Sequence, residues 1–124
     1  MKLLTKSSTT TKTLSPGKSE KIISRTGRGE LCLFVFKSDS DKFSFYVNID
    51  GNREDFPDIS TLYSANLTSR NNVLWVRSYS AGDYSVELSL RCRYSKSIEV
   101  GVTNGDSAAK SLLAYVLVLI EEQL

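Results

Sequence analysis

Eleven residues, YSVELSLRCRY from Tyr84 to Tyr94, alternate strictly between two kinds of side chain. In a strand, successive side chains point to opposite faces. Tyr84, Val86, Leu88, Leu90, Cys92 and Tyr94 would then share one face, and Ser85, Glu87, Ser89, Arg91 and Arg93 the other. A helix would scatter this pattern around its axis, whereas a half-buried antiparallel strand needs it. FSFYVNI repeats the pattern, with Phe43, Phe45, Val47 and Ile49 inward and Ser44, Tyr46 and Asn48 outward. VLWVRSYS (73–80) and IEVGVT (98–103) add two more such segments.

Two runs are apolar on both faces: LCLFVF (31–36) and LLAYVLVLI (112–120). Such runs belong to central or covered strands. Ala108, Ala109 and Lys110 would allow a helix from Ser107, but the β-branched continuation favours a strand. Turn residues punctuate the chain at Ser15-Pro16-Gly17, Gly27 to Gly29, Ala81-Gly82-Asp83 and Asn104-Gly105-Asp106. Only Phe56 to Asn72 lacks alternation, and its FPDISTLYSANL predicts one short helix or 3₁₀ turn after Pro57, capped by Asp58 or Ser60. A length of 124 residues suits one core and one domain. The expected fold is therefore all-β: an antiparallel β-sandwich of jelly-roll type with about seven or eight strands. Leu33, Val35, Phe45, Val47, Val86, Leu88, Leu90, Val100 and Leu117 are assigned to its inner face.

Charge is unevenly spread. Residues 1–30 carry seven basic side chains against Glu20 and Glu30, a net of +5; the whole chain is at +2, so the remainder is at −3. The basic, Thr-rich segment 1–14 therefore reads either as an edge strand kept soluble by lysines or as an arm, presenting Lys2, Lys6 and Lys12 to an acidic neighbour. An overall charge this small does not point to nucleic acid. No membrane span is expected: the polar stretch Thr5 to Thr13 rules out a signal-peptide core, and the nine residues of LLAYVLVLI fall short of a spanning helix. A cytosol-like compartment is expected, where Cys32 and Cys92 stay reduced, although the two could bridge if their strands are neighbours.

In KSDSDK (37–42) two aspartates alternate with serine between lysines, and the strand resumes at once at Phe43. A calcium loop needs more oxygen ligands spaced further on, so the reading is a hairpin turn, with no metal. Asp50-Gly51-Asn52 forms a second turn. The sequence has no histidine, which removes Ser-His-Asp and Cys-His nucleophile systems and His-ligated zinc. Gly27-Arg28-Gly29 lacks the spacing of a phosphate loop. Glu54, Asp55 and Asp58 could formally supply paired carboxylates, but nothing marks one of them for a raised pKa. No enzyme and no cofactor is expected. What remains is binding: Arg91 and Arg93 on one strand face, Arg77 joining them from a neighbouring strand, and the rings of Tyr46, Tyr63, Trp75 and Tyr79. Trp75 is expected in the core beside Val73.

The succession GRGELCLFVFKSDSDKFSFYVNIDGN, FPDISTLY, VLWVRSY and a long alternating strand resembles small jelly-roll virion proteins of tailed bacteriophages. The matching positions are Gly27, Gly29, Ile49, Asp50 and Gly51, and the likeness covers residues 20–120. It implies a non-catalytic, oligomeric subunit of the capsid surface, neck, tail or fibre, assembled in the bacterial host, whose partners are itself and other virion proteins. It transfers no catalytic residues. The competing expectation is a carbohydrate-binding or receptor-recognition module that uses the Tyr and Trp rings on the same fold.

Overall fold

A computed structural model describes residues 2–122. Eleven strands and one helix follow in order: β1 (Lys2–Ser8), β2 (Lys12–Leu14), β3 (Ser19–Thr26), β4 (Gly29–Ser38), β5 (Phe43–Ile49), β6 (Asn52–Asp55), α1 (Ile59–Ser64), β7 (Leu74–Ser80), β8 (Asp83–Leu88), β9 (Cys92–Tyr94), β10 (Ser97–Asn104) and β11 (Lys110–Glu121). One sheet runs β1-β11-β4-β8-β7, with β2 also on β11 and β9 also on β4; the other runs β3-β10-β5-β6. Every pairing is antiparallel. The chain changes sheet at most connections, so each sheet interleaves early strands with late ones. That is the nested Greek-key order of a jelly roll.

The strand number exceeds expectation for local reasons. The first segment bends into β1 and β2, and the long alternating run breaks at Ser89–Arg91 into β8 and β9. Strand β6, with all four residues exposed, has no apolar pattern to announce it. It is instead fixed by the two-residue loop Asp50-Gly51, both at positive φ, the geometry of a tight hairpin whose twist matches the strands. KSDSDK is not a hairpin: β4 and β5 lie in different sheets, so this loop is a corner between them.

The core fills the space between the sheets. Phe34, Phe36 and Phe45 pack with ring centroids 5.6–5.8 Å apart, beside Leu31, Val47, Val86, Leu88, Ile98, Val100, Leu117 and Leu119. Three inner-face expectations fail. Leu33 and Val35 lie on the outer face, because a register shift near Cys32 lets Leu31, Phe34 and Phe36 all point inward. The register then sets Val35 opposite the outward Glu87, and Phe36 opposite the buried Val86. Leu90 is exposed because β8 has ended before it. Trp75 also leaves the core: it pairs directly with Glu87 on the outer face, and Val73 beside it is exposed.

Helix α1 starts where Asp58 accepts a hydrogen bond from the Thr61 amide at 2.8 Å, and it buries Ile59 and Leu62. Both cysteines are free thiols. No helix among the described residues is long and apolar enough to cross a membrane.

Candidate functional site

The outward positions of β1, β11 and β4 follow from the register. Leu3 lies opposite Ile120, Thr5 opposite Val118 and Ser7 opposite Val116; Val116 lies opposite Val35 and Val118 opposite Leu33. The doubly apolar runs therefore spend one face on the core and present Leu33, Val35, Val116, Val118 and Ile120 on the other. Leu3 is 66% exposed and Val116 39%. Strand β8 flanks the face on the β4 side, setting Glu87 opposite Val35. Trp75 extends the face on β7, its indole nitrogen donating to Glu87 at 3.2 Å. Between β7 and β11 the face dips into a hollow of about 380 Å³ lined by Val35, Lys37, Arg77, Ser85 and Val116, among others.

Charged pairs border this face, and one of them, Arg77–Glu87, lies within it between Val35 and Trp75. Lys37 meets Asp83 at 3.4 Å, Arg77 meets Glu87 at 3.7 Å, Arg91 meets Glu30 at 3.4 Å, and Arg93 meets Glu122 at 4.0 Å. Arg91 and Arg93 thus share one end of the sheet. Arg77 does not join them: it sits at the register shift beside Ser85, which pairs with Lys37, seven residues along β4 from the Glu30 that faces Arg93.

The other proposed contact residues are placed as follows. The segment 2–14 lies along β11 of its own chain as an edge strand. Lys2 is opposite Glu121; Lys6 donates through Nζ to the Ile22 carbonyl at 2.7 Å; Lys12 pairs with Glu20 at 2.9 Å. Tyr46 points outward from the four-stranded sheet but is only 4% exposed, because Arg53 lies 3.8 Å over its ring. Its hydroxyl donates to Glu99 at 2.7 Å, and burial together with that carboxylate pushes it up to about 12.

A second feature lies at the corner of the sandwich. Tyr63 from α1 stacks on Tyr79 from β7, with centroids 3.8 Å apart and planes 4° from parallel, and Tyr84 meets Tyr79 edge-on. Tyr79 donates to Asp41 at 2.6 Å; that bond, then burial, raises its hydroxyl to about 12. Tyr63 remains 44% exposed.

Several aspartates, including Asp55 and Asp58, serve as structural acceptors. Asp39 accepts from the Ser111 amide and Asp106 from Ser40 Oγ. Asp50 accepts from the amides of Ser95, Lys96 and Ser97, which hold it down at about 2. Asp58 caps α1, and Asp55 is chelated by Arg53. Of these features, the outer apolar face had a signal in the sequence, the apolar-on-both-sides runs, which read as central or covered strands. The rings of Tyr63 and Tyr79 were candidates in the sequence, but their stacking was not, since it depends on how α1 docks against the β7–β8 hairpin. The sequence matches no protein-family model and no curated protein.

Proposed function

We propose that this chain is a structural subunit of a tailed-bacteriophage virion, a non-catalytic jelly roll that decorates the capsid or sits at the neck or tail. Its partners are copies of itself and other virion proteins, and it assembles in the host cytoplasm, where Cys32 and Cys92 stay reduced. The observation that carries this reading is the outer face of the larger sheet. Leu3, Leu33, Val35, Val116, Val118 and Ile120 form a contiguous aliphatic surface on a chain whose core is already complete. Leu3 and Val116 are exposed and the other four half-buried, and an apolar sheet face of this kind fits a site of protein association. The use of aspartates as turn and corner acceptors further supports a role without catalysis. The jelly-roll topology agrees with the sequence resemblance, as fold-level analogy alone.

Locating the chain tests the reading. Antibody labelling and cryo-imaging of purified particles from its source should show it at a fixed site in fixed copy number. Its absence from particles would overturn the proposal. The tyrosine stack favours a second reading, glycan recognition, since a half-exposed ring held flat by its neighbour offers a rigid stacking surface. Binding on a glycan array that Tyr63→Ala abolishes would favour it.

A further inference from the structure

We infer that the outer face of the larger sheet is where two copies of this chain meet, packed face to face about a twofold axis. This deepens the assembly reading and rests on it, because it names the partner at that surface. Three features select a second copy over other occupants.

The first is charge. The rim, with the Arg77–Glu87 pair inside it, holds Lys37, Arg77, Arg91 and Arg93 against Glu30, Asp83, Glu87 and Glu122, four of each sign, already paired. A balanced rim neither attracts a polyanion nor repels its own image, and each cation can exchange its carboxylate for the equivalent one across the axis. The second is shape. An isologous contact needs a surface complementary to itself. Here one face carries both the projecting Leu3 and a hollow of about 380 Å³ beside Val35 and Val116. The third is area. Five strands spaced about 4.8 Å apart, each contributing about eight residues at about 3.3 Å, give roughly 600 Å² per copy. The total of about 1,200 Å² reaches the lower bound for a specific interface; its aliphatic part lies on β1, β11 and β4, and the Arg77–Glu87 pair lies inside the footprint between Val35 and Trp75.

The test is solution mass with two variants. Light scattering and sedimentation of the purified chain should give a dimer, or an even-numbered assembly built from dimers. Val116→Glu places a carboxylate at the centre of the face on a side chain already exposed in the monomer, so the fold survives, checked by an unchanged circular dichroism spectrum. Self-association should weaken by roughly 100-fold or more, because the new charge would be buried without a partner. Ser24→Lys, on the outer face of the other sheet, should leave the mass unchanged. An oligomer that Val116→Glu leaves intact overturns this placement but not the assembly reading. A chain that stays monomeric at high concentration also overturns the twofold contact, and particle labelling then decides the assembly reading separately.

Discussion

At the scale of single residues, the fold depends on a few polar side chains at its corners. Asn104 is fully buried, and its amide nitrogen donates to the carbonyls of Leu14 and Ala108 at 2.9 and 3.0 Å, while its oxygen accepts from the Asp106 amide at 2.8 Å. It thereby ties the ends of β2 and β10 to the approach to β11. Asn104→Ala strands buried backbone groups and should cost about 2–4 kcal/mol in chemical denaturation. Asp50 joins the β5–β6 hairpin to the β9–β10 corner through three amides. Its folded pKa of about 2 lies below the ordinary 3.8, so its contribution is present above pH 4 and disappears as pH falls toward 2. Asp50→Asn should therefore lose stability near neutrality and show a shallower decline than the parent between about pH 4 and pH 2. Parallel slopes for parent and variant in urea titrations across that range would contradict the assignment.

At the scale of elements, the edge strands divide by what they bury. Strand β1 is mostly exposed and contributes Leu4 to the margin of the core, whereas β2 buries Leu14 at 6% exposure. Deleting residues 2–8 should leave a cooperative β-domain with a lowered melting temperature. Deleting 2–14 should cost a further increment of about 2–5 kcal/mol, since it empties the Leu14 site and removes the Asn104 acceptor. Equal melting temperatures for the two truncations would show that Leu14 contributes nothing. These elements were unequally legible in the sequence. Period-two spacing located four strand segments, at 43–49, 73–80, 84–94 and 98–103, the doubly apolar runs located β4 and β11, and Asp58 marked the start of α1. Spacing could not show that the alternation through Ser89–Arg91 spans a break, because the pattern continues across it. Nor could it show that KSDSDK turns a corner, because a short loop reads alike whether the next strand joins the same sheet or the opposite one. For LCLFVF both faces are apolar, so only the register against Val86 and Glu87 decides that Phe34 and Phe36 point inward. The doubly apolar runs read as central or covered strands, and both are central, but their spacing did not show that one face stays open. The long-range partners of Lys6 and Tyr46 were not legible, since each contact depends on tertiary placement.

At the scale of the whole molecule, the ends of the chain close the fold. Lys2 pairs with Glu121 and Ser8 with Tyr115, so the first and last strands are neighbours. Strand β11 lies between β1 and β2 on one side and β4 on the other, and it sends Leu112, Leu117 and Leu119 into the core. Loop-closure entropy must be met before these distant pairings stabilise anything, which places folding in the millisecond-to-second range typical of β-sandwiches. Nor can the sheet close without its last strand. A chain ending at Gly105 would leave β4 without one of its two neighbours, remove the anchor for β1 and β2, and expose the Phe34–Phe36–Phe45 cluster from one side. Losing three buried leucines at about 2–5 kcal/mol each should cost about 6–15 kcal/mol, as much as the roughly 5–15 kcal/mol that holds a domain of this size together, before the lost strand pairings are counted. The truncated chain should therefore show no cooperative thermal transition and no dispersed amide spectrum, while the full chain shows both. A cooperative melt from residues 1–105 would mean that β3 to β10 form an independent folding unit, and that β11 is an addition to the sandwich rather than its closing strand.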